Sequence, residues 1–293
     1  MAINLITKYA DKLAMAYTQK SLIKGKTSTE WSWDGASSVK ILSIVTQTPG
    51  DYTRSGVSRY GTPADLQDTV QEIKIAQDKA FAMVIDKGDN TQQGMLKQAG
   101  KALNAEIEEQ MVPLMDKYAL LSYARGAGTK ITTYTSLSKT NILEALTAIE
   151  TAFSDAFIPN DNRFVFMSNA SVALFRQSLM NCDTITDRIL LKGVVGDFGT
   201  LHIVGVPASW MPSNTLAIAF QQKSVVFPEQ ISDAKIHQDP PGISGHLLEG
   251  RYLYDAAVVK AFEKGVVVLG SSTTNEPGKT EATANYPTNH YAA

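Results

Sequence analysis

The sequence of 293 residues holds one cysteine, Cys182. A single cysteine excludes an intrachain disulfide framework and a cysteine-built zinc centre. A cysteine nucleophile needs a positioned base, and the sequence sets none beside it. An excess of one charge is lacking too: 27 Lys and Arg stand against 29 Asp and Glu, a formal net charge of −2. That balance excludes a protein that clamps nucleic acid by charge alone. No apolar run approaches the ~18 residues of a membrane span. The first residues lack the apolar stretch of a signal peptide, and no internal repeat is visible. The remainder is 44% hydrophobic and 19% charged, as expected of a disulfide-free, soluble protein made inside the cell.

Motifs that carry chemistry are equally scarce. Gly25-Lys26-Thr27 and Gly278-Lys279-Thr280 look like ends of phosphate-binding loops. Such a loop needs a glycine five positions before its Gly-Lys pair, where this chain has Lys20 and Thr273. Gly126-Ala127-Gly128 follows a helical pattern and is better read as a helix stop than as a dinucleotide loop. The four histidines, His202, His237, His246 and His290, form no His-Glu-x-x-His arrangement. His237 and Asp239 are close enough in sequence to share a metal, though a surface loop beside Pro240 is the better reading. Ser244, His246 and Glu249 offer an enzyme site without a nucleophile elbow. Glu106, Glu108 and Glu109 read as a solvated helix face. The expectation is therefore no catalytic residue, no cofactor and no metal.

What the sequence does hold is one long helical pattern from Asn90 to Tyr123. Leu96, Leu103, Ile107, Met111, Leu114, Tyr118 and Leu121 recur as one apolar stripe. Lys97, Lys101, the three glutamates, Asp116 and Lys117 fall on the other faces. At ~1.5 Å per residue the helix would reach ~50 Å, about three times the length of an ordinary one. Pro113 lies inside it and should kink it. Residues 2–22 predict a short amphipathic helix, with lysines outnumbering acids over the first thirty residues.

Strands are predicted around Val39–Val45, Val70–Ala76 and Phe81–Ile85. Between the first two, Thr46 to Asp68 has no core pattern and is too long for a turn. It sets Tyr52 and Tyr60 beside Arg54 and Arg59, side chains enriched at protein interfaces. Beyond the long helix come a strand over Lys130–Thr135 and a helix over Thr140–Asp155, with Asn141 and Glu144 as its capping pair. A strand over Arg163–Met167, a helix from Asn169 and strands over Leu201–Val206 and Leu216–Phe220 complete an α+β unit from about 131 to 245. Asp239-Pro240-Pro241-Gly242 breaks the chain before strand-like runs at Tyr252–Phe262 and Gly265–Leu269. The tail from Ser271 is polar and small-residue rich, and reads as mobile.

Several motifs in order resemble a known family. They are Trp33-Asp34-Gly35, Arg59-Tyr60-Gly61-Thr62-Pro63, Asp68-Thr69-Val70-Gln71-Glu72 and Ile85-Asp86-Lys87-Gly88-Asp89 ahead of the long helix, with Gly250-Arg251-Tyr252-Leu253-Tyr254-Asp255-Ala256 near the end. Over residues 4–270 the chain resembles the major capsid proteins of tailed bacteriophages. The resemblance implies the α+β Hong-Kong-97-type capsid fold. Its parts would be an N-terminal arm (1–30), an extended β-hairpin called the E-loop (31–78), a peripheral domain with a long spine helix (79–130 and 246–270) and an axial domain (131–245), followed by a flexible tail (271–293). It also implies hexamers and pentamers that close an icosahedral virion shell around double-stranded DNA, assembled in the host bacterial cytoplasm with a portal and no membrane. The lysine through which some members crosslink has no match between Thr46 and Asp68. No fused scaffold segment is visible either, so a separate scaffolding protein is expected. An encapsulin-type nanocompartment shell is the neighbouring alternative, and an enzyme with a site near His246 the distant one.

Overall fold

The computed structural model describes residues 21–31, 38–44, 49, 51–52, 54–55, 59–60, 68–87, 99–179 and 197–270. The strands and helices run in the order β1 (Ser38–Ile44), β2 (Asp68–Lys74), β3 (Gln77–Asp86), α1 (Ala99–Glu106), a π-helical turn (Ile107–Met111) and α2 (Val112–Arg125). Next come β4 (Thr129–Ile131), α3 (Ile142–Asp155), β5 (Arg163–Ser168), α4 (Asn169–Leu179), β6 (Asp197–Phe198), β7 (Leu201–Val206) and β8 (Thr215–Gln221). The chain closes with β9 (Val225–Val226), β10 (Glu229–Gln238), β11 (Gly245–Tyr254), β12 (Ala257–Val258) and β13 (Val266–Gly270). The expected helix at 2–22, apart from its last residues, lies outside the described residues, as do the first turns expected from Asn90 and the tail from Ser271.

A six-stranded sheet, ordered β4-β13-β8-β5-β7-β6, forms the centre. β13 runs parallel to β4 and antiparallel to β8, and β5 runs parallel to β7. Side chains alternate across a strand, and here both faces are covered. Val266, Val268, Ile218, Phe220 and Phe166 pack toward Tyr118, Ala119 and Tyr123 of α2. Val267, Leu269, Ala217, Ala219, Val165 and Met167 pack toward Ile149 and Phe153 of α3 and Phe175 of α4. This double coverage explains why these strands read as continuous apolar runs rather than alternating ones.

A second sheet, β10-β11-β3, lays Ile85 and Leu248 on Leu103 of α1. Sequence reading missed β10 and its hairpin with β11. Its turn signal was visible at Asp239-Pro240-Pro241-Gly242, but β10 is an edge strand with few apolar residues. The hairpin needs glycine at Gly245, whose φ is +139° and where a Cβ would meet the Ile85 carbonyl oxygen. The run expected to be strand through Phe262 divides instead into β11, β12 and a 3₁₀ turn at Lys260–Gly265.

The long helix departs from expectation in two ways. At Pro113 the helix widens: Met111 and Val112 keep right-handed helical angles, and the Val112 N–H donates to the Ile107 carbonyl five residues back. A widened turn removes the need for a donor at Pro113 and gives its ring room. Second, among the described residues the single stripe holds only over Ala99–Met111. From Met115 to Ala124 every residue except Lys117 is buried, Asp116 included. The helix ends as expected, with the Gly126 N–H on the Ser122 carbonyl. Two smaller corrections follow. The strand expected to reach Thr135 stops at Ile131. Asn141 and Glu144 do not form a capping pair: Asn141 turns back to Ser138 N–H (2.7 Å) and the Ser136 carbonyl (3.0 Å), and Glu144 lies at the Tyr134 hydroxyl.

Candidate assembly surfaces

The hairpin of β1 and β2 pairs in register from Ser38↔Lys74 to Ile44↔Asp68. A free two-stranded hairpin is marginal in water, so its root is fixed elsewhere. Ile41 and Ile73 are buried against Val226, Ala257 and Val259. Gln71 ties the opposite strand down, donating to the Val258 carbonyl (3.0 Å) and accepting from the Lys260 N–H (2.7 Å). The other face carries Leu42 and Val70 directly opposite each other, and both are exposed. At the far end the structure brings two expected interface residues together. The Tyr52 and Tyr60 rings meet edge to face at 5.0 Å, with Tyr60 92% exposed. Arg54 and Arg59 are exposed as well.

The segment from Ser21 to Ser28 lies strapped across the helix and β9. Asp116 accepts from the Ser21 hydroxyl (2.7 Å) and the Leu22 N–H (2.8 Å). Ile23 is buried in the core with Met115 and Tyr118, Lys24 meets Glu229 at 2.8 Å, and the Ser28 N–H donates to the Val225 carbonyl. Burial pushes the Asp116 carboxyl up, opposed by Ser21, Leu22 and Lys26. Burial likewise lowers Lys26, and Asp116 opposes that shift.

Two further buried charges organise the subunit, and sequence reading singled out neither. Asp255 accepts from the Tyr118 hydroxyl (2.8 Å), the Ala76 N–H (3.2 Å) and the Ala256 N–H (2.7 Å), joining α2 to the β2–β3 and β11–β12 links. Burial, then the Asp255 charge, hold the Tyr118 phenol far above its ordinary value. Arg163, fully buried, donates from Nε to the Pro159 carbonyl (2.8 Å), from one terminal nitrogen to the Thr200 hydroxyl and from the other to the Ile158 carbonyl. Its guanidinium lies over the Phe153 ring at 5.2 Å. No spacing rule exposes such groups: their partners are backbone atoms and distant side chains.

The residues considered for chemistry do not converge. His246 and Glu249 point to opposite faces of β11 by strand parity. Glu249 instead meets His237 at 3.3 Å. Asp239 accepts from the Gly245 N–H (3.0 Å) rather than sharing a ligand with His237. His246 Nδ1 is buried with no hydrogen-bond partner among the described residues. Among those residues, no group of three or more His, Cys, Asp or Glu side chains is placed to hold a metal ion. No described helix is long and apolar enough to cross a membrane.

No family model matches the chain, and no curated protein sequence does. Solved structures do match it. A chain of Mycobacterium phage Che8 superposes with a TM-score of 0.77 at 20% identity, covering 92% of this chain and 99% of that one. A chain from the capsid structure of cyanophage P-SCSP1u gives 0.73 at 12% identity, covering 92% and 94%. One from the asymmetric unit of the bacteriophage PhiM1 mature capsid gives 0.67 at 12% identity, covering 92% and 93%. At these identities the likeness is one of fold. The chain has the α+β fold of phage capsid chains, as its sequence motifs suggested.

Proposed function

We propose that this chain is a major capsid protein that assembles with copies of itself into the icosahedral head shell of a bacteriophage. The observation that carries the proposal is the end-to-end match: nearly all of this chain superposes on nearly all of capsid chains from unrelated-looking sequences. The physics of the subunit supports it. A long helical rod, a hairpin exposing Leu42, Val70 and two tyrosines, and a strapped N-terminal segment are parts that find further contacts on neighbours. A net charge of −2 lets many copies pack without strong self-repulsion.

In this proposal residues 1–30 act as the N-terminal arm and 31–78 as the E-loop hairpin. Residues 79–130 with 246–270 make the peripheral domain around the spine helix, and 131–245 the axial domain. Within 246–270, β11 lies on α1, which suits that grouping, while β13 packs on α2 and also pairs with β8 of the 131–245 segment. Subunits group as hexamers and pentamers, assemble in the host cytoplasm on a separate scaffolding protein with a portal, and enclose double-stranded DNA held without sequence preference. The role is structural, with no catalysis.

The test is expression, sedimentation and negative-stain microscopy, with and without a co-expressed scaffolding protein. Closed shells or aberrant large polymers are expected. A species that stays monomeric at micromolar concentration under every salt and scaffold condition overturns the proposal.

A further inference from the structure

The loop after α3 presents an aromatic side chain that the subunit does not use. Phe157 is 94% exposed, and its φ is +55°. The turn is a Schellman arrangement: the Ile158 N–H donates to the Phe153 carbonyl and the Phe157 N–H to the Ser154 carbonyl. Such a turn needs one residue in the left-handed region, ordinarily glycine, because a Cβ there is strained. Here that position carries one of the largest apolar side chains. The apolar contact that normally closes the motif is made by the next residue, since Ile158 packs with the cluster that contains Phe153. Glycine at 157 would relieve backbone strain and remove an exposed phenyl ring. Within the subunit, phenylalanine is the inferior choice.

The loop is also held rigid. The Arg163 guanidinium donates to the carbonyls of Ile158 and Pro159. The Gln222 N–H donates to the Asn162 carbonyl (3.1 Å), and Gln221 Nε2 reaches the Asp161 carbonyl (3.4 Å). A buried arginine is thus spent on the backbone beside Phe157. The neighbouring chain is polar, with Ser154, Asp155, Asn160 and Asp161 exposed. A fixed aromatic flanked by polar chain is the arrangement of an interface anchor, whose ordering has been completed before binding.

We propose that Phe157 is a preorganised anchor that inserts into an apolar recess of a second copy of this chain. The choice of partner rests on the capsid function proposed above, in which each subunit meets copies of itself on several sides. A heterologous contact of this kind, a projection on one copy and a recess on the next, generates a ring where the rotation closes.

The test uses the full chain with Phe157→Gly and Phe157→Asn, since both residues tolerate left-handed backbone and only one adds flexibility. Each variant subunit should melt at the wild-type temperature or a few degrees above it. Each should assemble poorly, with the critical concentration raised on the order of tenfold or more. Phe157→Tyr should assemble nearly as wild type. The photo-crosslinking residue p-benzoylphenylalanine at 157 should give covalent dimers and higher adducts of this chain in assembled material. Normal assembly of the Gly and Asn variants overturns the inference while leaving the capsid proposal standing. So do crosslinks confined to one chain or to a different protein, or loss of the variants' fold. A wild type that never assembles overturns the capsid proposal and this one with it.

Discussion

At the scale of residues, the subunit is fastened by three charges that are almost wholly out of water: Asp116, Arg163 and Asp255. A buried charge is tolerated only when its hydrogen bonds are complete, and each of these is held by backbone groups or hydroxyls. Asp255→Ala removes the acceptor of the Tyr118 O–H and of two backbone N–H groups at once. We expect a loss of more than ~3 kcal/mol in denaturant unfolding. Tyr118→Phe leaves the carboxylate its two amide donors, so its loss should be smaller, about 1–3 kcal/mol.

Asp116 gives a prediction in pH. Burial raises its carboxyl, so the folded chain keeps a proton at pH values where the unfolded chain has released it. From the ordinary carboxylate value up to the raised one, the contribution of this group to stability therefore falls as pH rises, and it is fullest below that window. Relative to Asp116→Asn, the wild type should lose stability as pH rises from the ordinary carboxylate value, about 4, through the raised one. Urea unfolding of both proteins across that range measures the difference, and parallel curves would refute it. Sequence reading placed Asp116 on the solvated face because charge is the usual mark of that face. Its partners Ser21 and Leu22 lie some ninety-five positions upstream, so no local pattern could reveal them.

At the scale of elements, legibility follows how each element is buried. Strands β5, β7 and β8 and the helices α3 and α4 were readable because their apolar residues are dense and regular. β10 was not, because an edge strand needs few of them, and Asp233, Lys235 and His237 on its outer face hide the alternation. In the long helix the local rule for proline predicts a kink at Pro113, and what the fold carries there is a π-helical turn just before the ring. Pro113→Ala restores a backbone donor and frees that turn to tighten. Proline in a helix interior costs about 3 kcal/mol against alanine, and the widened turn already relieves part of this. The subunit should therefore gain stability by roughly 1–2 kcal/mol, read as a raised melting temperature. If the wide turn sets the curvature of the helix, shells of Pro113→Ala should differ in diameter from wild type in micrographs. Equal diameters would make the turn a local accommodation.

At the scale of the whole molecule, the question is where the exposed apolar and aromatic groups go. The core is complete without the hairpin's outer face, and the four residues Tyr52, Arg54, Arg59 and Tyr60 stand clear of it. Sequence reading found them through an absence: a stretch of about twenty residues with no core pattern, too long for a turn. It could not find that Tyr52 and Tyr60 meet each other, because eight positions of loop separate them. Their edge-to-face contact presents the pair as one exposed aromatic surface, and Arg54 and Arg59 of the same loop are exposed too. An arginine brought into such a contact would pair with a carboxylate of the next subunit, and losing a buried charge partner costs a few kcal/mol. A closed shell repeats that loss at every subunit. The double variant Arg54→Ala with Arg59→Ala should keep the wild-type melting temperature, because neither side chain contributes to the core. Its assembly should be weakened or blocked in sedimentation. Limited proteolysis gives an independent reading: the loop from Thr46 to Asp68 should be cut in the free subunit and protected in the shell. Normal assembly of the double variant, with equal cleavage in both states, would remove this loop from the interface and leave the contact between copies to Leu42, Val70 and Phe157.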